Sequence, residues 1–249
     1  MLAPNPGLFT GPGTNTWLVG EGAAVVVIDP GPDDEAHTAA IEQRLQGAAV
    51  AAVLVTHGHA DHAEAAEPLA ERHLARVLRY PDLADGDEVH TAGVTLQAIF
   101  TPGHASDHLV FWLAEDRVLF TGDLILGRGS SMVTYPEGDV AAYLRSLDRV
   151  AALRPRMLFP GHWDPVQDGA AKIEEYRLHR LDRERQVLDA LAEGAGTPAQ
   201  LVGRVYAEEL GADPGLARAA EMTLRAHLGK LVQEGRIVTG PDEVYRLAG

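Results

Sequence analysis

The chain has 249 residues, no cysteine and a formal net charge of −15. The lack of cysteine excludes a disulfide framework, a thiolate metal site and a cysteine nucleophile. The acidic balance opposes the binding of polyanions at long range, so a nucleic-acid substrate would need local cations or metal ions. The beginning of the chain lacks the basic region and the apolar region of a signal peptide. No apolar run reaches about 18 residues, the length that a transmembrane helix needs. We therefore expect a cytoplasmic protein that makes no contact with a membrane.

The first part of the chain predicts strands that alternate with helices. Apolar runs at 15–19 and 23–28, separated by a Gly-Glu-Gly turn, predict a hairpin. Residues 33–46 predict a helix, and the apolar run 50–55 predicts a buried strand. The stretch 63–75 is rich in Ala, Leu and Glu and predicts a second helix, which a proline interrupts near its start.

A series of short strands follows. We predict these strands at 77–80, 87–90, 94–100, 109–113 and 117–120. An amphipathic helix at 139–153 and a last short strand at 156–159 complete this part of the chain. Many short strands with helices before and after them predict stacked sheets covered by helices.

The composition changes after about residue 172. Residues 173–193 predict a long charged helix, and a capping box at 197–200 opens a second helix. Asp213, followed by proline, opens a third helix that runs to about residue 234.

Residues 236–247 then predict a β-hairpin around a Thr-Gly-Pro-Asp turn. Three helices followed by a hairpin is the order of a winged-helix module. We therefore predict a domain boundary between residues 172 and 173.

The third predicted strand ends in the sequence THGHADH, which starts at Thr56. His57 and His59 are two residues apart and can face one ion, whereas Asp61 and His62 continue into the next turn. Imidazole nitrogen and carboxylate oxygen are the ligands of zinc and of similar divalent metals. This one loop therefore supplies two candidate ligands for each of two metal sites.

Three further loops each place a candidate ligand after an apolar run and a glycine. The loop TPGH ends at His104, TGD ends at Asp123 and FPGH ends at His162. A glycine lets the backbone turn sharply and approach closely, so the next side chain can reach back across the strand ends. The repetition of strand, glycine and ligand is more informative than any single histidine.

From about Thr14 to Pro165 the chain resembles the metallo-β-lactamase superfamily, because the THGHADH motif and the three later ligand loops follow that family's order. The resemblance implies an α+β fold, an αββα sandwich of two mixed β-sheets, with the site at one edge where the strands end. It also implies two divalent ions per chain, with zinc as the expected metal. The implied ligands are His57, His59 and His104 for the first ion, Asp61, His62 and His162 for the second, and Asp123 as a bridge.

This ligand set implies a metallo-hydrolase that uses a metal-bridging hydroxide. Two adjacent divalent ions lower the pKa of a shared water from about 16 towards 7 and polarise the attacked carbonyl or phosphoryl oxygen. Asp61 could orient the nucleophile, and it is assigned a catalytic role with Asp123. Oxygen-reducing diiron members carry a carboxylate where this chain has His59, so the histidine favours hydrolysis. True β-lactamases generally lack the carboxylate of Asp123, so we do not expect hydrolysis of antibiotics. Thioesterases of the glyoxalase II type share all seven ligands and stay an alternative.

The remainder of the chain resembles one branch of the superfamily, the β-lactamase-like proteins with a C-terminal winged-helix domain. The likeness is carried by GDLILGRGSSM from Gly122, by FPGHWDPV and by HRLDRERQVL from His179. It implies a catalytic domain at 1–172 and a winged-helix domain at 173–249. A mitochondrial relative in that branch is a single-strand-specific endoribonuclease, which favours single-stranded RNA as the substrate.

Two alternatives differ from that interpretation. The substrate could be a small-molecule ester or thioester, which the metal ligands fit equally well. In a different class of function, the winged helix would bind nucleic acid and the metal site would be structural, with cationic side chains on the third helix reaching phosphates. Assembly as a homodimer is left open.

Substrate contacts are the least defined part of the predicted site. The candidates are Arg128, Ser130, Ser131, His179 and Arg180. The loop at 127–131 follows the bridging carboxylate and could present N–H groups and hydroxyls to a phosphate. The alternative is an ordinary loop and an ordinary helix. The histidines at 37, 90, 108 and 227 are assigned no functional role.

Overall fold

The computed structural model describes residues 1–20, 22–91, 93–207 and 214–249. The first β-sheet has the order β1-β2-β3-β4. Its strands are β1 (Trp17–Val19), β2 (Ala24–Ile28), β3 (Ala49–Leu54) and β4 (Val77–Leu78). β1 and β2 pair antiparallel, as the hairpin prediction requires, whereas β2, β3 and β4 run parallel. Glu21 in the predicted turn lies outside the described residues.

The second β-sheet has the order β5-β6-β7-β8-β9. Its strands are β5 (Glu88–Thr91), β6 (Val94–Phe100), β7 (Leu109–Leu113), β8 (Val118–Gly122) and β9 (Met157–Pro160). The first four strands pair antiparallel, and β8 and β9 are parallel. β6, β8 and β9 therefore all point their carboxyl ends towards the same edge.

The two sheets pack face to face through an apolar layer. The first sheet contributes Val26, Ile28 and Leu54, and the second contributes Leu96, Phe111 and Phe120. All of these side chains are buried. Removal of this apolar surface from water is the main favourable term that holds the sheets together.

Helices cover the outer faces of both sheets. The first sheet carries α1 (Glu35–Leu45), α2 (Ala60–Ala63) and α3 (Ala66–His73), and the second carries α4 (Val140–Ala152) and α5 (Gly169–Ala192). Asp34, Asp139 and Asp168 accept backbone N–H groups at the starts of α1, α4 and α5. The layers confirm the predicted αββα sandwich.

The helix predicted at 63–75 is two helices. α2 ends at Ala63, and α3 starts at Ala66, so Pro68 lies in the first turn of α3. A proline in the first turn removes an N–H group that has no intrahelical partner anyway. Pro68 is therefore compatible with the start of a new helix and does not interrupt an old one.

The C-terminal part has winged-helix topology. After α5 come α6 (Pro198–Val205), α7 (Pro214–Gln233) and the antiparallel pair β10 (Ile237–Thr239) and β11 (Tyr245–Leu247). Thr197 and Gln200 form the predicted capping box. The predicted cap Asp213 lies outside the described residues.

One continuous helix joins the two parts of the chain. Ile173 and Tyr176 of α5 pack in the core above the second sheet, whereas Val187 and Leu191 of the same helix pack in the winged-helix core. The boundary predicted between 172 and 173 falls inside α5 and stays a prediction. Among the described residues, the helices are too short or too polar to cross a bilayer.

Candidate metal centre

The predicted ligands gather at one edge of the sandwich. His57 and His59 follow β3, His104 follows β6, Asp123 follows β8, and His162 follows β9. The carboxyl ends of these strands meet at that edge because β6, β8 and β9 run in the same direction in their sheet. Rigid strands therefore fix the positions of side chains that are up to 105 residues apart in sequence.

Three histidines form the first cluster. Nε2 of His57 lies 2.9 Å from Nδ1 of His59, and Nε2 of His104 lies 3.2 Å from the same atom. The ligand atoms of all three lie within 4.8 Å of one another. Three imidazole nitrogens that converge in this way match a tetrahedral site with one position left for another ligand.

Two histidines and a carboxylate form the second cluster. Nε2 of His62 lies 3.3 Å from Nε2 of His162, and Oδ2 of Asp61 lies 3.3 Å from that nitrogen of His162. His62 and His162 are buried, and Asp61 is partly exposed. In this cluster, one candidate ligand, Asp61, also faces solvent.

The carboxylate of Asp123 lies between the two clusters. Its Oδ1 is 3.5 Å from Nε2 of His62 and 3.4 Å from Nε2 of His162, and its Oδ2 is 3.6 Å from Nε2 of His104. Oδ1 is buried and has no hydrogen-bond partner among the described residues. A buried carboxylate oxygen without a donor is costly unless a cation satisfies it.

The charge states of these groups fit divalent ions. Burial, with nearby histidines, holds the pKa of His57 well below its usual value, and burial lowers the pKa of His104, so both are neutral ligands. Burial opposes ionisation of Asp123, but His62 and His162 hold the pKa of its carboxyl well below the usual range. Burial likewise opposes the charged form of His162, yet the carboxylates of Asp123 and Asp61, 3.4 and 3.3 Å from its Nε2, raise its pKa to about 9. A proton there supplies positive charge that a divalent cation would supply in its place.

A second layer of contacts orients the ligands. Nδ1 of His62 donates to Oδ2 of Asp29 at 2.8 Å, and Asp29 also accepts from the amide and the hydroxyl of Thr56. Nδ1 of His57 donates to that hydroxyl at 3.0 Å. Outer hydrogen bonds of this kind fix the tautomer and the ring orientation of a metal ligand. The sequence predicts Asp29 only as the end of a strand, although Asp29 follows an apolar run just as the ligand loops do.

His108 is a second residue that the sequence analysis missed. It is fully buried, its Nε2 accepts from the amide of Asp123 at 3.2 Å, and its Nδ1 donates to Oγ1 of Thr101 at 3.0 Å. Its ring also stacks on His57, with centroids 5.1 Å apart. His108 therefore holds the backbone of Asp123, the candidate bridging residue. Its spacing of four residues after His104 gave no signal that separates this role from ordinary packing.

Two of the predicted glycines are required by close approach. A Cβ atom on Gly161 would lie 2.6 Å from Cε1 of His62 and 2.8 Å from Oδ1 of Asp123. Gly122 has φ +46°, and its Cβ would lie 2.7 Å from Oγ1 of Thr56. A side chain at Gly161 would displace His62 and Asp123, and one at Gly122 would displace Thr56, which holds His57.

A cavity of about 280 Å³ opens directly onto both clusters. Its floor contains His59, Asp61, His104, Asp123 and His162. The remaining lining side chains are Phe9, Leu126, Met132 and Thr134. Among the described residues that line it, none is lysine or arginine. Apart from the ligands, this cavity is therefore mostly apolar.

The predicted substrate contacts fall into two places. Arg128 is exposed and lies over the ring of Trp163, 5.5 Å from its centroid, next to His162. Ser130, Ser131, His179 and Arg180 line a separate cavity of about 190 Å³ between the 130–132 loop, α5 and α7. Arg180 is 2% exposed and donates to the carbonyl of Ser131, whose hydroxyl donates to the carbonyl of Asp123. Substrate contact by these five residues stays a prediction.

Family models match most of the chain. One described as the metallo-beta-lactamase superfamily matches residues 9–85 and 75–162, and one described as the beta-lactamase associated winged helix domain matches residues 197–244. Beta-lactamase-like protein 2 homolog of Caenorhabditis elegans is 31% identical over 269 residues, which covers 100% of this chain and 88% of that protein.

Other relatives carry different names. Lactamase-like protein adaB of Aspergillus niger is 40% identical over 202 residues, and the alignment covers 77% of this chain but only 62% of the length of that protein. Atrochrysone carboxyl ACP thioesterase of Passalora fulva is 32% identical over 259 residues, which covers 95% of this chain and 76% of that protein.

Solved structures match the fold over the full chain or over about two thirds of it. A beta-lactamase domain protein from Burkholderia ambifaria has a TM-score of 0.85 at 25% identity, covering 100% of this chain and 90% of that one. The protein TTHA1623, solved in a di-iron-bound form, has a TM-score of 0.55 at 27% identity, covering 66% of this chain and 93% of that one.

Proposed function

The chain belongs to the metallo-β-lactamase superfamily, in the branch that carries a C-terminal winged-helix domain, and from this premise we propose that it is a dinuclear metal-dependent hydrolase of acyl thioesters. One observation carries the choice of substrate. The cavity above the seven ligand side chains is lined otherwise by Phe9, Leu126, Met132 and Thr134, without a described lysine or arginine. Such a lining suits an uncharged acyl group.

The donor set fits two divalent ions, and we propose zinc. His57, His59 and His104 would hold one ion, Asp61, His62 and His162 the other, and Asp123 would contact both. When bound, the two ions would lower the pKa of a shared water and polarise the thioester carbonyl. The carboxylate of Asp61, which lines the cavity and is partly exposed, can orient the attacking water and accept its proton.

The chemistry of the leaving group also favours a thioester. A thiol has a pKa of about 8.5, so a thiolate can leave without prior protonation, whereas an alkoxide needs a general acid. Apart from the side chains that would hold the ions, the described cavity lining is Phe9, Leu126, Met132 and Thr134, none of which could serve as that acid. A substrate that needs no acid therefore matches the residues present.

The relatives support this proposal without deciding it. Three proteins named atrochrysone carboxyl ACP thioesterase are 32–37% identical to this chain, and the alignments cover 78–95% of it. Those names describe the relatives. For this chain they favour a thioester over an oxygen ester.

Cleavage of single-stranded RNA is the second candidate, and one observation favours it. Arg128 lies over the ring of Trp163 at the rim of the site, beside His162. A cation and an aromatic face in contact suit a phosphate and a stacked base. The sequence analysis favoured this substrate, but the apolar cavity lining shifts the balance towards the thioester.

In a nucleic-acid-binding winged helix, α7 would contact the nucleic acid. Here α7 makes contacts within the protein. The carbonyl of Met222 in α7 accepts from the amide of Tyr135, and Ala226 packs in the core above the second sheet. Arg225 pairs with Glu221 and Glu243, and Lys230 pairs with Glu184 and Glu234. We therefore assign α7 to the architecture of the enzyme and do not propose that it binds DNA.

The test compares substrates side by side on zinc-loaded protein. We expect hydrolysis of an acyl thioester with kcat/KM at least about tenfold above that for the matching oxygen ester and for a bis-phosphodiester. Cleavage of single-stranded RNA without any thioester hydrolysis would replace the first candidate with the second.

A further inference from the structure

A second groove lies between the catalytic domain and the winged-helix domain. It has a volume of about 410 Å³. One wall is the loop around Gly103, a second is the loop that contains Tyr135 and Glu137, and the third is the face of α7 with Arg225 and Gly229. The groove is separate from the apolar cavity described above.

Two residues that line the groove are neighbours of proposed metal ligands. Gly103 directly precedes the ligand His104. Oε2 of Glu137 lies 3.7 Å from Nε2 of His59, whose other nitrogen faces the first cluster. Glu137 and Gly103 therefore place the groove next to His59 and His104, which line the apolar cavity.

Backbone contacts fix the shape of this groove. The amide of Tyr135 donates to the carbonyl of Met222 in α7 at 3.1 Å. The amide of Asp139 donates to the carbonyl of Gly103 at 2.9 Å, and the Asp139 side chain caps α4. The three walls are therefore held together before any ligand enters, as is usual for binding sites of small molecules.

The groove has little net positive charge to attract a phosphate. Arg225 is held by Glu221 and Glu243, and Lys230 is held by Glu184 and Glu234. Glu137 and Asp139 add carboxylates to the lining, while several other lining positions are glycine, alanine or proline. A narrow groove of small residues with balanced charges fits a thin, uncharged chain that carries polar amide groups.

We propose that this groove binds the thiol half of the substrate, a pantetheine-type arm, while the apolar cavity binds the acyl half. The inference rests on the proposed thioester hydrolysis and adds the leaving group to it. The arm that acyl carrier proteins and coenzyme A share is a linear chain with two amide groups from the sulfur onwards, followed by a hydroxyl and two methyl branches at its far end, and it carries no charge before its phosphate. It would run from the reacting sulfur, beside His59 and His104, along α7.

Gly229 allows the groove to be filled without disturbing the fold. A Cβ atom built on Gly229 would have no heavy atom within 4 Å. Gly203 in α6 has the same open surroundings, is exposed and does not line the groove. Both glycines lie inside helices, where replacement of glycine favours the helix. Gly229→Trp and Gly203→Trp are therefore a matched pair of variants.

The experiment uses the zinc-loaded full chain and two thioesters with the same acyl group. Butyryl-pantetheine carries the whole arm, and butyryl-N-acetylcysteamine carries only its first amide. We expect Gly229→Trp to lower kcat/KM for butyryl-pantetheine by at least about tenfold and for the short thioester by less than about twofold. Gly203→Trp should leave both values unchanged.

Binding is measured separately by calorimetry with S-methyl-pantetheine, whose capped sulfur cannot act as a thiolate ligand. Wild-type protein and Gly203→Trp should bind it, and Gly229→Trp should not. Equal effects of Gly229→Trp on both thioesters, or no effect on either, would overturn the assignment of the groove. If the wild type binds the capped arm but hydrolyses no thioester, the groove assignment stands and the proposed function is wrong.

Discussion

The carboxylate of Asp29 lies 2.8 Å from Nδ1 of His62 and is buried with it. The same carboxylate accepts two hydrogen bonds from Thr56, which in turn holds His57. One residue at the end of β2 therefore orients ligands of both clusters. Its φ angle of 49° is a costly backbone conformation for a non-glycine residue.

We expect Asp29→Asn to weaken binding of the ion at the second cluster, which His62 would hold, by about 10–100-fold. The amide keeps the size of the side chain but removes the charge that fixes the His62 tautomer. Zinc titration followed by calorimetry measures this change. Asp116→Asn, in the exposed turn between β7 and β8, is the control. Unchanged zinc affinity in Asp29→Asn would show that the contact does not orient the ligand.

We expect His108→Phe to destabilise the protein by about 1–3 kcal/mol, because the buried amide of Asp123 loses its acceptor. Activity should fall as well, since Asp123 is no longer held between the clusters. Urea unfolding measures the first effect, and kcat measures the second. His90→Phe, at an exposed position, should change neither. If the His108→Phe protein is fully active and fully stable, His108 contributes only packing.

The stability of the metal-free protein should fall in acid partly because of His227. Burial, with nearby Arg180, Arg183, Lys230 and His179, lowers the pKa of His227 to about 3. Between pH 6.5 and about 3 the unfolded chain binds this proton and the folded chain does not, so stability falls as the pH falls.

His227→Phe should therefore reduce the dependence of the unfolding free energy on pH by up to about 1.4 kcal/mol per pH unit below pH 6.5. Denaturant unfolding at several pH values between 6.5 and 4.5 measures the slope. Parallel curves for wild type and variant would show that His227 takes up its proton in the folded state. His90→Phe again serves as the control.

Arg128→Ala separates the two candidate substrates. Because Arg128 stands at the rim and not in the cavity lining, thioester hydrolysis should change by less than about twofold. If RNA is cleaved, the variant should cleave it less, and the slope of log rate against log salt should fall by about 1. Arg128→Lys should retain the salt dependence. Equal loss of both activities would show that Arg128 is needed for hydrolysis of either substrate.

Much of the site follows from a local signal in the sequence. Each predicted ligand follows an apolar run, and the glycines before Asp123 and His162 are those that the close approach requires. The alternating apolar runs likewise predict the strands, because burial on a sheet leaves that period in the sequence. Both signals are local, so neither needs knowledge of tertiary contacts.

Tertiary contacts decide the features that the sequence could not predict. Arg180 lies in a charged helical stretch, where an arginine is expected to be exposed. In the structure, the 130–132 loop and α7 cover it. The cationic residues of α7 are visible in the sequence, whereas their pairing with Glu184 or Glu243 depends on how distant elements pack. The role of His108 depends on the neighbouring strand, which its own sequence neighbours do not reveal.

In the proposed function, Asp123 would contact both ions, and thioester hydrolysis would need both of them. The most direct test adds zinc stepwise to metal-free protein and follows butyryl-pantetheine hydrolysis, with Asp123→Ala measured in parallel. We predict that the rate rises until two equivalents per chain are bound, and that Asp123→Ala loses tight binding of one ion and nearly all activity. Full activity at one equivalent, wild-type activity in Asp123→Ala, or no hydrolysis at any zinc concentration would contradict the claim.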